Sequence, residues 1–454
     1  MARTARGLAI GAMLVACAPD ARAQPVARGV DSNRVTAARA PACDTTWTSP
    51  RELRTPLGRR VYVEAPAPGS DARGRYLLGT PTFVWATRDS FATPERGAPA
   101  KSAGARLVGE WSAVPLPALP GSTPQYTPVP VTAGGDLLAL WATSRDTTSS
   151  GFFGQDTLWE SRLLSERWST PRAVWSAGEL SWHPGTVTVT TLGSKLLAAF
   201  PARDTTRAPR NGVVVMERSR DAWRTTWIGT GHLGSSAAVL LPLSASELLI
   251  VATGPLNRPP IDAPNAVYAI RVSTAGTGDG PRFSLIRAWK RSHAVEPSVF
   301  RSSDGLHVVW RQPGQQPFAH DSLVEATSTD MGATWTVTST ASLETNAIGM
   351  SVRVLDGGDG VAVALDVRGG RIITLRRASS RWRLTKETLP DARTMPMLSR
   401  TRERVAVMFA QTRRSPGPLE SYDAPVLVAA SRALRCEAPP ANRSRKRLRA
   451  PPRG

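Results

Sequence analysis

Three histidines occupy equivalent positions in a repeating sequence, which makes them the first candidates for chemistry. His183, His232 and His293 each precede the centre of an apolar run by 17 to 19 residues, and the chain has only five histidines. Equivalent imidazoles from adjacent repeats can bind a metal, transfer protons or line a polar pocket. We expect a polar binding pocket with no metal and no cofactor. The alternative is that they are polar loop residues without a ligand.

A second candidate set consists of arginines that end the same apolar runs. Guanidinium groups pair with planar anions such as carboxylates through two hydrogen bonds, so a ring of them indicates an anionic ligand. The alternative is a set of local salt bridges, because an aspartate directly follows three of these arginines. The candidate ligand-binding arginines are Arg88, Arg145, Arg203, Arg311 and Arg413.

The elements that must position these side chains form an internal repeat. Apolar runs such as "DLLALWATSRD" (136–146) and "GLHVVWRQ" (305–312) recur seven times, with centres 44 to 59 residues apart. Runs this continuous are typical of strands covered on both faces. A polar turn, an aromatic residue and a further strand lie between successive runs. Each unit therefore holds about four short strands, which predicts an all-β propeller of four-stranded blades.

One of these turns, "STDMGATW" (328–335), fits the pattern Ser-x-Asp-x-Gly-x-Thr-Trp. It resembles the Asp box of the sialidase and BNR-repeat β-propellers, and the resemblance covers roughly residues 43–436. It implies that the turn joins the third and fourth strands of a blade, on the face opposite the ligand. The serine and aspartate are expected to accept backbone N–H groups, the glycine to take a positive φ, and the tryptophan to pack between blades. The predicted structural residues are Ser328, Asp330, Gly332 and Trp335.

The resemblance also implies which residues would be catalytic in an enzyme. Sialidases of this family use a tyrosine nucleophile assisted by a glutamate, and arginines that bind the sugar carboxylate. Tyr422 in "LESYDAP" and Glu296 in "VEPSVF" are the candidates for the nucleophile and its base. The early Arg-Ile-Pro motif of the family is absent. The favoured hypothesis is a propeller that binds a glycan or protein ligand at its axial mouth. The alternative is an exo-α-sialidase-type glycoside hydrolase with a diverged site.

The N-terminal residues indicate export. Arg3 and Arg6 precede a short apolar run, 7–16, which is typical of a signal peptide and too short to span a bilayer. Two cleavage sites stay open. Cleavage at Cys17 would leave a lipidated cysteine and a membrane anchor, whereas an A-x-A site ends at Ala23. We therefore expect an extracytoplasmic protein, which is periplasmic, anchored in the outer membrane as a bacterial lipoprotein, or secreted.

The charge of the chain does not indicate a nucleic-acid partner. The net charge is +21, but only five of the 57 basic residues are lysines, so an arginine bias pervades the sequence. With an export signal present, we expect a monomer that binds a carbohydrate or protein ligand and no nucleic acid. The predicted organisation is a signal peptide (1–23), a linker (24–42), the propeller (43–436) and a basic disordered tail (437–454).

The ends of the repeat bear on the number of blades. Seven blades are predicted, and the alternative is six with the first unit as an irregular insertion. The last unit lacks a final turn and strand, which "CDTTWTSPRELRT" (43–55) would supply, so that an N-terminal strand closes the ring. Cys43 and Cys436 lie near the two ends of this region, and in an oxidising compartment they are expected to form a disulfide. Two unpaired thiols are the alternative.

Overall fold

Every regular element that the computed structural model describes is a β-strand, so the predicted all-β class is confirmed. The described residues belong to the unit Cys43–Gly454. Within them, no helix is long and apolar enough to span a bilayer. The described residues are 46–52, 67–70, 76–79, 83–87, 111–115, 129–133, 136–144, 155–164, 167–176, 180–182, 187–192, 195–204, 211–231, 237–255, 265–273, 280–289, 297–314, 319–354, 358–400, 404–411 and 426–433.

The strands follow one another as antiparallel meanders along the chain. In order they are β1 (Arg51–Glu52), β2 (Ala67–Ser70), β3 (Tyr76–Gly79), β4 (Phe83–Thr87), β5 (Trp111–Pro115), β6 (Val129–Ala133), β7 (Asp136–Ser144), β8 (Gln155–Leu164), β9 (Arg167–Trp168), β10 (Arg172–Ser176), β11 (Leu180–Trp182), β12 (Thr188–Leu192), β13 (Lys195–Asp204), β14 (Asn211–Ser219), β15 (Ala222–Gly231), β16 (Ala237–Pro242), β17 (Glu247–Pro255), β18 (Asn265–Ser273), β19 (Arg282–Trp289), β20 (Ser298–Ser302), β21 (Gly305–Gln312), β22 (Ser322–Ser328), β23 (Thr336–Ser342), β24 (Ala347–Val354), β25 (Gly360–Asp366), β26 (Arg371–Ala378), β27 (Arg381–Leu389), β28 (Met397–Arg400), β29 (Arg404–Gln411) and β30 (Val426–Ala433).

These strands pair into six sheets, so the predicted count of seven separate blades is wrong. Five sheets have four strands each, and the sixth has ten. The large sheet arises because the short strand β11 pairs with β13 and also touches β8 through the bridge between Trp182 and Gln155. This bridge joins the set β6–β10 to the set β12–β15. The count of six thus results from a merger of two strand sets, and not from an irregular first unit.

The strand sets surround a common axis in the manner of a β-propeller. The first strand of each set contacts the first strand of the next, and β28 contacts β2, which completes the circle. At the last set, β1 pairs with β30 through Arg51 and Glu52. Beside it, the Trp47 indole donates a hydrogen bond to Thr374 Oγ1 (2.9 Å) in the neighbouring sheet. Since the pairing of β1 covers only two residues, closure of the ring by an N-terminal strand stays a prediction.

The core lies between neighbouring sheets and uses the apolar runs of the sequence. The aromatic centres of three runs, Phe200, Trp310 and Phe409, are fully buried. Burial of one such side chain contributes roughly 1.5 to 3 kcal/mol. All seven residues of β25 are buried, because its sheet is covered on both faces. The continuous apolar runs therefore mark the middle strands of each set.

The turn between β22 and β23 is held by its own side chains. Asp330 Oδ1 accepts the backbone N–H groups of Ala333 (3.1 Å) and Thr334 (2.9 Å). Ser328 Oγ donates to the same carboxylate (2.7 Å) and accepts the N–H of Gly332 (2.8 Å). These bonds close the turn in the way that the sequence suggested for its serine and aspartate. The turn lies at the opposite end of the sheet from Ser298, where the innermost strand β20 begins.

Trp335, which ends this turn, connects two sheets. Its ring packs against the core between β17–β19 and β21–β22. Its indole N–H lies within hydrogen-bond distance of Ser284 Oγ (3.1 Å) on β19 and of the Gly332 carbonyl (3.2 Å). The Ser284 hydroxyl donates to the same carbonyl (2.8 Å). The turn therefore connects two neighbouring sheets through the Trp335 side chain.

Gly332 provides a first testable prediction. Its φ is +89°, and a Cβ atom would lie 3.1 Å from Leu249 Cδ1. We expect Gly332→Ala to lower the free energy of unfolding by about 1 to 2 kcal/mol, because an L side chain is strained at this φ. Gly280→Ala is the matched control, since its Cβ would meet open space. Denaturant unfolding measures both, and equal effects would show that the turn does not require glycine.

Candidate functional site

A cavity of about 580 Å³ runs along the axis, between the innermost strands. Its volume lies within the range of small-molecule sites. The wall comes from β6, β12, β16, β20 and β24, so that five strand sets contribute to it. The lining residues are Val129, Pro130, Val131, Thr188, Val189, Thr190, Thr191, Val239, Leu240, Ser298, Val299, Phe300, Val352, Arg353 and Val354.

The wall is mixed in character, with one charged side chain among the described residues. Thr188 Oγ1 donates to the Ala238 carbonyl (2.9 Å), which fastens β12 to β16. Arg353 is exposed, and its guanidinium donates to the Val352 carbonyl (2.9 Å). Phe300 also belongs to the wall, although its ring stacks on His307. This combination of an apolar wall, hydroxyl groups and one guanidinium suits a ligand that carries an anionic group.

Most residues singled out in the sequence lie outside the described residues. They are His183, His232, His293, Arg88, Arg145, Arg413, Tyr422, Glu296, Cys17, Cys43 and Cys436. Arg203 lies near the end of β13, where its backbone pairs with Asn211 of β14. The residues of the turn 328–335 are all described. The structure therefore describes the turn and the axial wall, while the histidine set and most of the arginine set stay predictions.

Arg311 is the one candidate arginine whose side-chain partners are described. Its guanidinium donates to Asp321 Oδ2 (2.9 Å), and both side chains are buried. The same carboxylate accepts the N–H groups of Gly314 (3.1 Å) and Ala347 (2.9 Å), the latter on the next sheet. The geometry corresponds to the salt-bridge alternative stated for these arginines. Arg311 is therefore left out of the proposed ligand site.

A buried ionic cluster between β20–β23 and β24–β27 is the most polar part of the described core. Glu325 on β22 accepts two hydrogen bonds from Arg377 on β26 (2.6 and 3.0 Å). The Trp382 indole donates to it as well (2.5 Å). Burial raises the pKa of Glu325, but the hydrogen bonds from His307 and Arg377 outweigh burial, so its pKa lies below the usual value. The glutamate is therefore ionised at neutral pH.

His307 adds an imidazole to this cluster from the second strand, β21. Its Nδ1 lies 2.8 Å from Glu325 Oε1, and its Nε2 lies 2.6 Å from the Ser302 hydroxyl and 3.1 Å from Asp304 Oδ1. The ring stacks on Phe300, with centroids 4.8 Å apart and planes 5° from parallel. Ser302 donates to Asp304, and this bond, together with His307, lowers the pKa of Asp304 to about 2. A hydroxyl, an imidazole and a carboxylate thus stand in series.

A second cluster repeats the glutamate–arginine–tryptophan part of this arrangement. Glu160 on β8 accepts hydrogen bonds from Arg218 Nε (2.7 Å) and from the Trp223 indole (2.8 Å). In both clusters the arginine and the tryptophan are a cross-strand pair, five positions apart in sequence. In each cluster the glutamate lies on the third strand of one set, and the arginine and tryptophan lie on the next set. These clusters therefore have a structural role, because they connect neighbouring sets.

Sequence reasoning missed Ser302 and His307 as a pair. A signal was present, because His307 interrupts the apolar run "GLHVVW", where a titratable side chain must find a buried partner. The identity of that partner was not visible, since Glu325 lies 18 residues away and Arg377 another 52. Among the described residues, no group of three or more His, Cys, Asp and Glu side chains is arranged to hold a metal ion.

Comparisons with known proteins find similarity only among solved structures. No protein-family model and no curated protein matches the sequence. Similar structures include the Hadza microbial sialidase Hz136, which is 12% identical with a TM-score of 0.40, covering 68% of this chain and 66% of that one. A Trypanosoma rangeli sialidase in complex with the inhibitor DANA is 11% identical with a TM-score of 0.39, covering 67% and 54%. The polysaccharide lyase Uly1 is 10% identical with a TM-score of 0.49, covering 89% and 96%.

The chain therefore spans less than two thirds of the two sialidase chains. These similarities identify neither a family nor an activity. The assignment of the propeller rests on the sheet topology and on the closed circle of innermost strands.

Proposed function

We propose that this chain is an exported β-propeller that binds a carbohydrate or protein ligand with an anionic group at its axial mouth. The observation that carries the proposal is the axial cavity of about 580 Å³ with Arg353 in its wall. A guanidinium in a partly apolar wall pairs with a carboxylate or sulfate group more strongly than one in open water.

Binding is favoured over hydrolysis by the composition of the wall. Most glycoside hydrolases use a pair of carboxyl groups beside the scissile bond, and sialidases use a tyrosine assisted by a glutamate. Among the lining residues that the structure describes, none carries a carboxylate. A catalytic pair would have to come from the surrounding loops, where Glu296 and Tyr422 occur in the sequence.

The rest of the proposed mouth is supported by the sequence repeat. His183, His232 and His293 occupy equivalent positions in adjacent units, and Arg88, Arg145, Arg203 and Arg413 end their apolar runs. Together they would extend the polar surface around the cavity. Export through the signal peptide, lipidation of Cys17 and a Cys43–Cys436 disulfide belong to the same proposal, and they rest on residue pattern alone.

Arg353 provides the direct test of the axial site. We screen the protein on an array of neutral, sialylated and sulfated glycans and measure affinity for the best glycan by calorimetry. Removal of a charge-assisted hydrogen bond of about 1.5 to 3 kcal/mol is expected to weaken binding by at least about tenfold in Arg353→Ala.

Arg287→Ala is the matched control, because Arg287 is exposed on the outermost strand β19, away from the axis. Binding that is unaffected by Arg353→Ala, or weakened equally by both variants, would contradict the axial site. Release of sugar from a fluorogenic sialoside would replace the binding function by the hydrolase alternative.

A further inference from the structure

The series Ser302–His307–Glu325 lies away from the axial mouth. Ser302 ends β20, and the β20–β21 turn lies at the same end of the sheet as the turn 328–335. The first residues of the innermost strands, such as Ser298 of β20, lie at the other end. Any chemistry at Ser302 is therefore separate from ligand binding in the proposed mouth, and the two can succeed or fail independently.

The repeat itself shows that Ser302 and His307 are not needed to tie the sheets. Glu325 pairs across strands with Val309, and Glu160 pairs with Leu140 in the same way. His307 lies two positions before Val309, and Leu138 lies two positions before Leu140, so the two residues occupy corresponding places. Leu138 is buried, so an apolar residue stands in the second set where the first set has His307.

The serine position shows the same contrast. Ser302 pairs with Gly305 at the base of its turn, and Ala133 pairs with Asp136 at the corresponding place. The Glu160 cluster thus has a leucine and an alanine at the two positions where the Glu325 cluster has a histidine and a serine. What the histidine and serine add is a hydroxyl within reach of a buried imidazole.

The imidazole is oriented as a general base requires. Arg377 and Trp382 hold Glu325, which accepts the Nδ1 proton of His307, so Nε2 is directed at the Ser302 hydroxyl 2.6 Å away. Stacking on Phe300 fixes the ring plane. The Ser302 hydroxyl carries a single proton, which Asp304 accepts in this structure. Rotation about the Cβ–Oγ bond redirects that proton to His307 Nε2, 2.6 Å away, whereas Asp304, with a pKa of about 2, is a weak proton acceptor. His307 is therefore the base within reach.

The turn that carries Ser302 is hydrogen-bonded to a neighbouring turn beside a cavity with two arginines. Ser302 is half-buried, and the Asp304 side chain is 53% exposed. A cavity of about 460 Å³ is lined by Ala378, Ser379, Arg381 and Arg383. Ser380, between two of these lining residues, donates from its hydroxyl to Asp304 Oδ2 (3.4 Å). This hydrogen bond joins the turn that carries Ser302 and Asp304 to the turn that leads into Arg381 and Arg383.

We propose that Ser302 is the nucleophile of a second site, which hydrolyses carboxylic esters whose acyl part carries a negative charge, with His307 as general base and Glu325 as the group that orients it. Ser302 Oγ forms a bond to the acyl carbon while its proton moves to His307 Nε2. The ester C–O bond then breaks, and the alcohol leaves with that proton. Water attacks the acyl-enzyme by the same route, which releases the acid and restores the hydroxyl. Arg381 and Arg383 bind the anionic end of the substrate.

Covalent labelling tests the nucleophile. The full chain is treated with a fluorophosphonate probe, and the modified peptide is located by mass spectrometry. Hydrolysis of the p-nitrophenyl monoester of succinic acid is measured in parallel. We expect modification at Ser302 and ester hydrolysis above the background rate. Absence of modification at Ser302 in the wild type would overturn the proposal.

Substitutions taken from the second cluster complete the test. Ser302→Ala and His307→Leu reproduce Ala133 and Leu138, and each is expected to reduce ester hydrolysis at least about 100-fold. Ser246→Ala, in the equivalent exposed turn before β17, is the matched control and should leave the rate unchanged. Circular dichroism checks that each variant is folded. Unchanged hydrolysis in folded Ser302→Ala would refute the assignment.

Discussion

Replacement of Glu325 by glutamine is expected to lower the free energy of unfolding by about 3 to 5 kcal/mol, which is the usual loss when one member of a buried ion pair is removed. Glu325 and Arg377 are each about 1% exposed, and the carboxylate accepts hydrogen bonds from Arg377, His307 and Trp382. Glutamine keeps the volume but directs an N–H₂ group at one of these donors. The Arg377 guanidinium would lose its counter-charge, and this loss is costly because the guanidinium is buried away from solvent.

Denaturant unfolding followed by tryptophan fluorescence measures the effect. Glu247→Gln is the matched control, since Glu247 pairs with Arg271 (2.8 Å) but is 40% exposed. Solvent-exposed pairs contribute about 0 to 1 kcal/mol. If both variants lose the same stability, Glu325 is not the clamp between β22 and β26 that the geometry indicates.

Acidification is expected to lower the Tm by at least about 5 °C between pH 5 and pH 2.5. Four described carboxyl groups have pKa values below their ordinary ones. A hydrogen bond from Ser302 does this for Asp304, and one from Thr334 does it for Asp330. For Glu325 and Asp366, burial raises the pKa, but hydrogen bonds from partners such as His307 and Thr345 outweigh it.

The direction follows from which state binds protons more readily. A folded-state pKa below the unfolded value of about 4 means that the unfolded chain takes up protons first as the pH falls. The stabilisation is therefore complete above pH 5 and is lost as the pH falls through the folded-state pKa values. Asp304 and Asp330 are largely exposed, so solvent screening reduces their share, and Glu325 is expected to dominate.

Thermal unfolding from pH 6 to pH 2.5 checks this dependence. In Glu325→Gln the Tm should start lower and then fall less steeply, because the dominant carboxylate is gone. A Tm that is constant or rises on acidification would contradict the assignment of these carboxylates as ionised partners.

The strands could be predicted from the sequence because their hydrophobic pattern is strong. Fully buried Phe200, Trp310 and Phe409 stand where the apolar runs placed them, and the turn 328–335 is closed by its own serine and aspartate. In these places a local pattern is sufficient. Each run needs only two covered faces, and the turn needs only its own side chains.

The number of sheets could not be predicted from the same pattern. The short strand Leu180–Trp182 lies outside the apolar runs of the repeat, yet it pairs through its backbone with β13. Backbone hydrogen bonding leaves no mark in hydrophobic periodicity. The ionic cluster was hidden for a related reason, because His307, Glu325 and Arg377 come from three strands in two sheets. Their proximity depends on register, which a single sequence does not encode in any short segment.

The bridge made by β11 has a consequence for how the molecule opens. In a circle of separate sheets, one sheet can open locally and disturb only its packing against the two neighbouring sheets. Where β11 holds β8 and β13 together, the sets β6–β10 and β12–β15 share hydrogen bonds and form one cooperative opening unit. Their amide protons would exchange with solvent together, and this sector would be the last part of the circle to part. The strand that merges the two strand sets thus also stabilises this part of the ring against local opening.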